Sequence, residues 1–186
     1  VLNPLSDSER SAKLVLESSL TADQNMELLY RALEYDPINL LAKINLGAAL
    51  VEMGQTSKAR KLLLDAYSAD PNHAVLLVNL GVLERKENRV DQAIDYFERA
   101  TQLDPEYGKA WSNLGRTSLG NSDPLVAAKA FAKVCEIDGI ENDALGFYVM
   151  ACRTACDWRS MHSVNSSLVE NLGLGRRVID PFSLMA

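Results

Sequence analysis

Residues 36–50 read DPINLLAKINLGAAL, residues 70–83 read DPNHAVLLVNLGVL, and residues 104–118 read DPEYGKAWSNLGRTS. Asp-Pro followed by Asn-Leu-Gly thus returns at one interval of 34 residues. A fixed period of this length marks stacked copies of one supersecondary unit, and it decides the architecture before any local reading does. The same interval relates Asp36, Asp70, Asp104 and Asp138, with Pro37, Pro71 and Pro105 after the first three and Gly139 after the fourth. It also relates Ala59, Ala93 and Ala127, then Leu63, Phe97 and Phe131, and then Ala32, Ala66 and Ala100, where Val134 is the departure.

Each unit reads as two amphipathic helices. Leu46, Gly47 and Leu50 fall on one face of the first helix. Gly47 and Ala59 are small, so two helix backbones can approach there, and Leu63, Phe97 and Phe131 are expected to fill the gap between units. Gly54 and Asn88 mark the turn inside their units, where a positive φ is expected. Proline ends one helix and suits the first turn of the next. Asp123-Pro124 is expected to serve as N-cap and first residue of a helix. Three units are clean, 40–73, 74–107 and 108–141. A degenerate unit, 6–39, precedes them with NMELLYRALEYDP as its second helix. Another, 142–172, follows, with NDALGFYVMACRTA as its first helix and WRSMHSVNSSLVENL as its second.

These residues resemble the tetratricopeptide repeat. The resemblance covers about residues 6 to 172 and implies an all-α fold, a right-handed superhelical solenoid of about five helix pairs with a concave face. One unit cannot bury its own apolar face, so neighbours stabilise each other. Residues 1–172 are then the solenoid, and residues 173–186 are a loop and an apolar junction segment.

The asparagines raise the functional question. Helical spacing puts Leu41, Asn45, Ala48 and Glu52 in one stripe, and the equivalent stripes are Val75, Asn79, Val82, Lys86 and Lys109, Asn113, Arg116, Gly120. The resemblance implies that this stripe lines the concave groove, so that Asn45, Asn79 and Asn113 form a ladder along it. An asparagine side chain both donates and accepts, which suits it to grip the backbone of an extended peptide. The alternative is that each asparagine hydrogen-bonds a neighbouring helix and sets its angle. Some relatives clamp a carboxylate with clustered Lys and Arg. Here only Arg116 is basic among the nearest positions, with Lys109, Arg85 and Lys86 further along, so a full clamp is not expected.

Bulk properties narrow the classes of partner. The 186 residues are 47% apolar and 24% charged, with a net charge of −6. That balance argues against sequence-blind binding to nucleic acid or to an anionic membrane, both of which need clustered cations. No run of 18 apolar residues offers a spanning helix. VLNPLSDSER is not a secretory signal, and the missing initiator Met points to a processed or excised piece. Three cysteines, Cys135, Cys152 and Cys156, are too few for a disulfide framework, and a cytosolic setting is expected.

Little in the chain suggests chemistry. His73 reads as a solvated loop residue. Cys152 and Cys156 share a helix face, and zinc with His162 and Asp157 is conceivable, but small buried thiols are the expected reading. LGLGRR at 172–177 follows a helix rather than a strand, so it lacks the context of a dinucleotide loop. No catalytic residue, metal or cofactor is expected of this chain alone.

The tail, CDWRSMHSVNSSLVENLGLGRRVIDPFSLMA, departs from the repeat. Cys156-Asp157-Trp158 stands at a turn position, and Pro181-Phe182 is followed by small apolar residues. This resembles the junction of O-GlcNAc-transferase-like (SPINDLY-like) proteins, where repeats give way to a glycosyltransferase region. Trp158, Pro181 and Phe182 would pack at that junction or would cap the last apolar face. The function implied is a protein-interaction scaffold for extended peptide segments, recruiting protein substrates to such an enzyme. A free-standing adaptor for complex assembly is the alternative.

Overall fold

The recurring Asp-Pro step ends one helix and starts the next by local chemistry. The N–H groups of Asp36, Asp70 and Asp104 donate to the carbonyls of Ala32, Ala66 and Ala100 at 2.9, 3.0 and 3.0 Å. Their carboxylates then accept the N–H groups of Ile38, Asn72 and Glu106 at 3.2, 3.0 and 3.2 Å. The proline between has no N–H to satisfy, so the carboxylate reaches past it and fixes an Asx turn.

The computed structural model describes residues 5–17, 22–138 and 143–157. Among them lie nine helices and no strand: α1 (Asp7–Glu17), α2 (Ala22–Tyr35), α3 (Leu40–Glu52), α4 (Thr56–Ala69), α5 (Ala74–Lys86), α6 (Val90–Leu103), α7 (Gly108–Gly120), α8 (Pro124–Asp138) and α9 (Ala144–Thr154). The two helices of each unit are those the periodicity predicts. The helix expected over 158–172, the segment 173–186, and Trp158, Pro181 and Phe182 with them, lie outside the described residues. The chain divides into two compact units, Val1–Glu87 and Asn88–Ala186. The first holds α1 to α5 and the second α6 to α9, so the boundary falls inside the 74–107 repeat.

In the first unit, α1 packs on α2, α2 on α3, α3 on α4, and α5 on both α3 and α4. Leu46, Leu50, Ala59 and Leu63 are buried there. A β-carbon built on Gly47 would lie 2.5 Å from Leu63 Cδ2. The glycine therefore receives the leucine of its own helix pair. The same device recurs in the second unit, where a β-carbon on Gly115 would lie 2.9 Å from ring carbons of Phe131. Leu63 and Phe131 thus sit between the two helices of one repeat, rather than only between repeats as expected. Phe131 also reaches the next repeat, stacking on Phe147 with ring centroids 5.2 Å apart.

Caps define the helix starts. Ser6 and Glu9 form a capping box before α1, with Ser6 N–H donating to Glu9 at 2.7 Å and Glu9 N–H donating to Ser6 Oγ at 3.3 Å. Asn39 caps α3 by accepting the Ala42 N–H at 2.9 Å, and its Nδ2 donates to Ser11 Oγ at 2.9 Å. Buried Ser11 donates onward to the Ala32 carbonyl at 2.8 Å, which ties α1, α2 and the start of α3 together. Asp123 accepts the Val126 N–H at 3.2 Å, the N-cap expected ahead of Pro124.

The turn between paired helices is left-handed at one register. Gly54 has φ 74°, Asn88 62°, Ser122 60° and Cys156 54°. These positions are 34 residues apart. The N–H groups of Gln55, Asp123 and Asp157 close their turns on the carbonyls of Leu50, Ser118 and Cys152, each at 2.9 Å. Gly54 and Asn88 were legible from residue type. Ser122 and Cys156 take the same geometry although neither residue favours it.

Candidate functional site

In the first unit the asparagine stripe runs along α3 and α5. Asn45 is exposed and Asn79 half-buried. Asn79 Nδ2 donates to the Ile44 carbonyl on α3 at 3.4 Å. That contact is the helix-setting role weighed from sequence, and it uses one of the two amide hydrogens. Lys86 is placed differently from a free groove cation. Its Nζ donates to the Val51 carbonyl at 2.6 Å and to the Glu52 carbonyl at 3.4 Å. Those are the last carbonyls of α3, where a cation satisfies orphan acceptors and opposes the helix dipole. Arg85 is half-buried beside it.

A buried charge, missed in sequence reasoning, holds α4 to α5. Glu84 is 3% exposed. Arg60 from α4 donates to both its oxygens at 2.8 and 3.2 Å, and to Glu87 at 2.8 Å. Glu84 shares its register with Leu50, Ser118 and Cys152, all buried. A carboxylate at a position otherwise apolar or small was the available signal, since a buried charge requires a partner.

In the second unit the stripe runs along α7 and continues on α9. Half-buried Asn113 donates to the Lys109 carbonyl at 2.9 Å, and Thr117 donates to the Asn113 carbonyl at 2.7 Å. The position 34 residues after Asn113 is Phe147, so an aromatic ring stands where the next asparagine would. Sequence reasoning passed over it, although counting one period onward finds it. The Arg116 guanidinium lies 5.2 Å from the Phe147 ring centroid. Arg116 and Phe147 border a cleft of about 280 Å³ between α7, α8 and α9, lined also by Lys109, Ser112, Val134 and Asp143. Lys109 and Arg116 are thus brought together with the aromatic pair.

The remaining candidates carry no acid–base arrangement among the described residues. Burial pushes the Cys135 thiol up to about 11, with Glu136 adding to it. Burial also raises Cys152, with Asp157 in the same direction and a hydrogen bond with Tyr148 opposing. Thiols shifted upward stay protonated at neutral pH and are poor nucleophiles. Cys156 is exposed and lies beyond the end of α9, so it neither shares a helix face with Cys152 nor is buried as expected. His73 is half-buried at the N-cap of α5 rather than solvated, and its Nδ1 is shielded without a hydrogen bond. No group of three potential metal ligands occurs among the described residues. No helix among them is long and apolar enough to cross a membrane.

The family model described as tetratricopeptide repeat matches residues 44–108 and 78–139. The chain is 25% identical over 151 residues to the human protein O-mannosyl-transferase TMTC3, covering 73% of this chain and 16% of that protein. It is 32% identical over 93 residues to the heat-shock protein cognate co-chaperone sgt12 of Aspergillus fumigatus, covering 50% of this chain and 27% of that protein. The chain therefore spans less than a third of the length of either relative. The solved structure of Pseudomonas aeruginosa PilF superposes with a TM-score of 0.74 at 19% identity, covering 89% of this chain and 78% of that one. That likeness shows the fold, an all-α solenoid of helix pairs.

Proposed function

Because this chain belongs to the tetratricopeptide repeat family, we propose that it is a protein-interaction scaffold that holds extended peptide segments along α3 and α5 in its first unit and along α7 in its second. The observation that carries this reading is a polar side chain at one register of α3, α5 and α7, flanked by buried leucines. Asn45 is exposed, and Asn79 and Asn113 are half-buried, while Leu46, Leu80 and Leu114 beside them are buried. An amide there can meet both the C=O and the N–H of a passing backbone, which grips a peptide with little regard for its side chains. Lys109 near the start of α7 and Arg116 in its second half add positive charge, and Arg85 and Lys86 stand at the end of α5. A cytosolic setting belongs to the same reading, since three cysteines suit a reducing compartment.

In its finer form the scaffold recruits protein substrates for sugar transfer. The junction-like tail supports that form, as does the name of one relative, an O-mannosyl-transferase. A free-standing adaptor is the second reading, favoured by the likeness to a co-chaperone. The test common to both is capture of extended peptides from a random decapeptide library by the chain and by a variant carrying Asn45→Ala, Asn79→Ala and Asn113→Ala. Loss of capture with unchanged circular dichroism is expected. Undiminished capture by the triple variant overturns the proposal.

A further inference from the structure

We propose that the cleft between α7 and α9 selects, within a bound peptide, an apolar side chain next to an acidic one. The proposal rests on the reading of this face as peptide-binding, and it adds sequence preference to a grip that is otherwise indifferent to side chains.

The argument starts at Phe147. The asparagine register ends there in an aromatic ring, which cannot pair with a peptide backbone. What it offers instead is an apolar surface, and that surface is built into the core. Its ring stacks on buried Phe131 at 5.2 Å and 17°, so it cannot rotate away without losing that contact. Val134, 4% exposed, lines the same cleft. A void of about 150 Å³ takes a benzene-sized group. The cleft of about 280 Å³ therefore has room for one large side chain and the backbone that carries it.

The cations lining the cleft set the second residue. Arg116 is exposed, and among the described residues its guanidinium meets only the Phe147 ring. A cation laid against an aromatic face is held in place, and its N–H donors remain to be satisfied. Arginine so positioned suits bidentate capture of a carboxylate. Lys109, about two helical turns before it on α7, adds a second exposed cation to the same cleft. Asp143, at the N-cap of α9, also lines the cleft and repels an anion near it. Together these charges favour an acidic group beside α7. In a chain of net charge −6, this is a local reversal of sign.

The test uses the full chain, 15N-labelled, titrated with acetylated and amidated decapeptides of serine and threonine. Three probes carry a central leucine-aspartate, alanine-aspartate or leucine-asparagine pair. Wild type is expected to bind the leucine-aspartate probe on the order of tenfold more tightly than either other probe. Arg116→Gln should abolish the preference for aspartate over asparagine. Phe147→Asn should abolish the preference for leucine over alanine. Since that change also removes a core contact, Phe147→Leu is run beside it and should keep part of the preference. Equal affinity of wild type for all three probes overturns this proposal and leaves the scaffold reading intact. An unaltered preference in Arg116→Gln also overturns it. Absence of binding by every probe up to millimolar concentration overturns both readings together.

Discussion

Arg116 of α7 lies 5.2 Å from the ring of Phe147 on α9, and Phe147 stands one repeat after Asn113. The contact joins a cation from the third clean repeat to the position where the asparagine series changes character. At this register the repeated asparagine gives way to an aromatic ring, and an arginine from the preceding repeat lies against it.

Gly47 should be intolerant of any side chain. Its β-carbon would sit 2.5 Å from Leu63 Cδ2, and overpacking of this kind costs about 1–3 kcal/mol. Gly47→Ala is expected to lower the urea midpoint accordingly. Pairing it with Leu63→Val, which removes one methylene, should recover part of the loss. A double variant no more stable than Gly47→Ala would show that the close approach is not the cause.

Glu84 and Arg60 should respond unequally to substitution. Removing the arginine leaves a carboxylate that is 3% exposed without its clamp, and breaking a buried pair from one side costs about 3–5 kcal/mol. Glu84→Leu removes the charge itself and installs the residue found at the same register in Leu50. We expect Arg60→Ala to be the more destabilising of the two by chemical denaturation, and Glu84→Leu to be tolerated.

Ser122 carries backbone strain that glycine would relieve. A non-glycine residue at φ 60° costs roughly 1–2 kcal/mol. Ser122→Gly is therefore expected to stabilise the protein by up to about 1 kcal/mol, after the entropy that glycine adds to the unfolded chain. Thermal melts of the variant and wild type in one buffer decide the sign.

Cys135 should make stability pH-dependent in alkali. Its thiol is raised from the ordinary 9.0 to about 11 in the folded chain by burial, with Glu136 adding to it. The folded state then holds its proton more tightly than the unfolded state. The stabilisation is fully present below pH 9 and is lost as the pH rises toward 11. Melting temperatures measured from pH 8 to 11 should fall more steeply for wild type than for Cys135→Ala. Parallel profiles would rule out this origin.

Lys86 should matter to stability before it matters to binding. Its ammonium caps the last turn of α3 through Val51 and Glu52, an interaction worth about 0.3–1 kcal/mol. Lys86→Met keeps the aliphatic stem and should lose about that much in a denaturation series. The loss should shrink at high salt, where the charge is screened.

Much of this was legible in the residues. The 34-residue period, the paired helices, the Asp-Pro turns and the buried alanine series follow from spacing and side-chain size alone. So do the positive φ at Gly54 and Asn88 and the cap at Asp123. The site was less legible. Asn79 and Lys86 were read as groove residues, and both donate to carbonyls of α3. Helical spacing assigns a residue to a face, but it does not say whether a neighbouring backbone lies within reach of that face.

By itself the sequence determined the repeat, because each local choice within a 34-residue unit has a short-range physical reason: proline lacks a donor, glycine lacks a β-carbon, and apolar residues recur every turn. Only the tertiary structure decided which large side chain fills which glycine, which cation closes on which carboxylate, and that Arg116 rests on Phe147. Those pairings join residues up to 31 positions apart. They depend on how helices pack, and packing distance is set by all the side chains between two helices at once rather than by any one residue or interval.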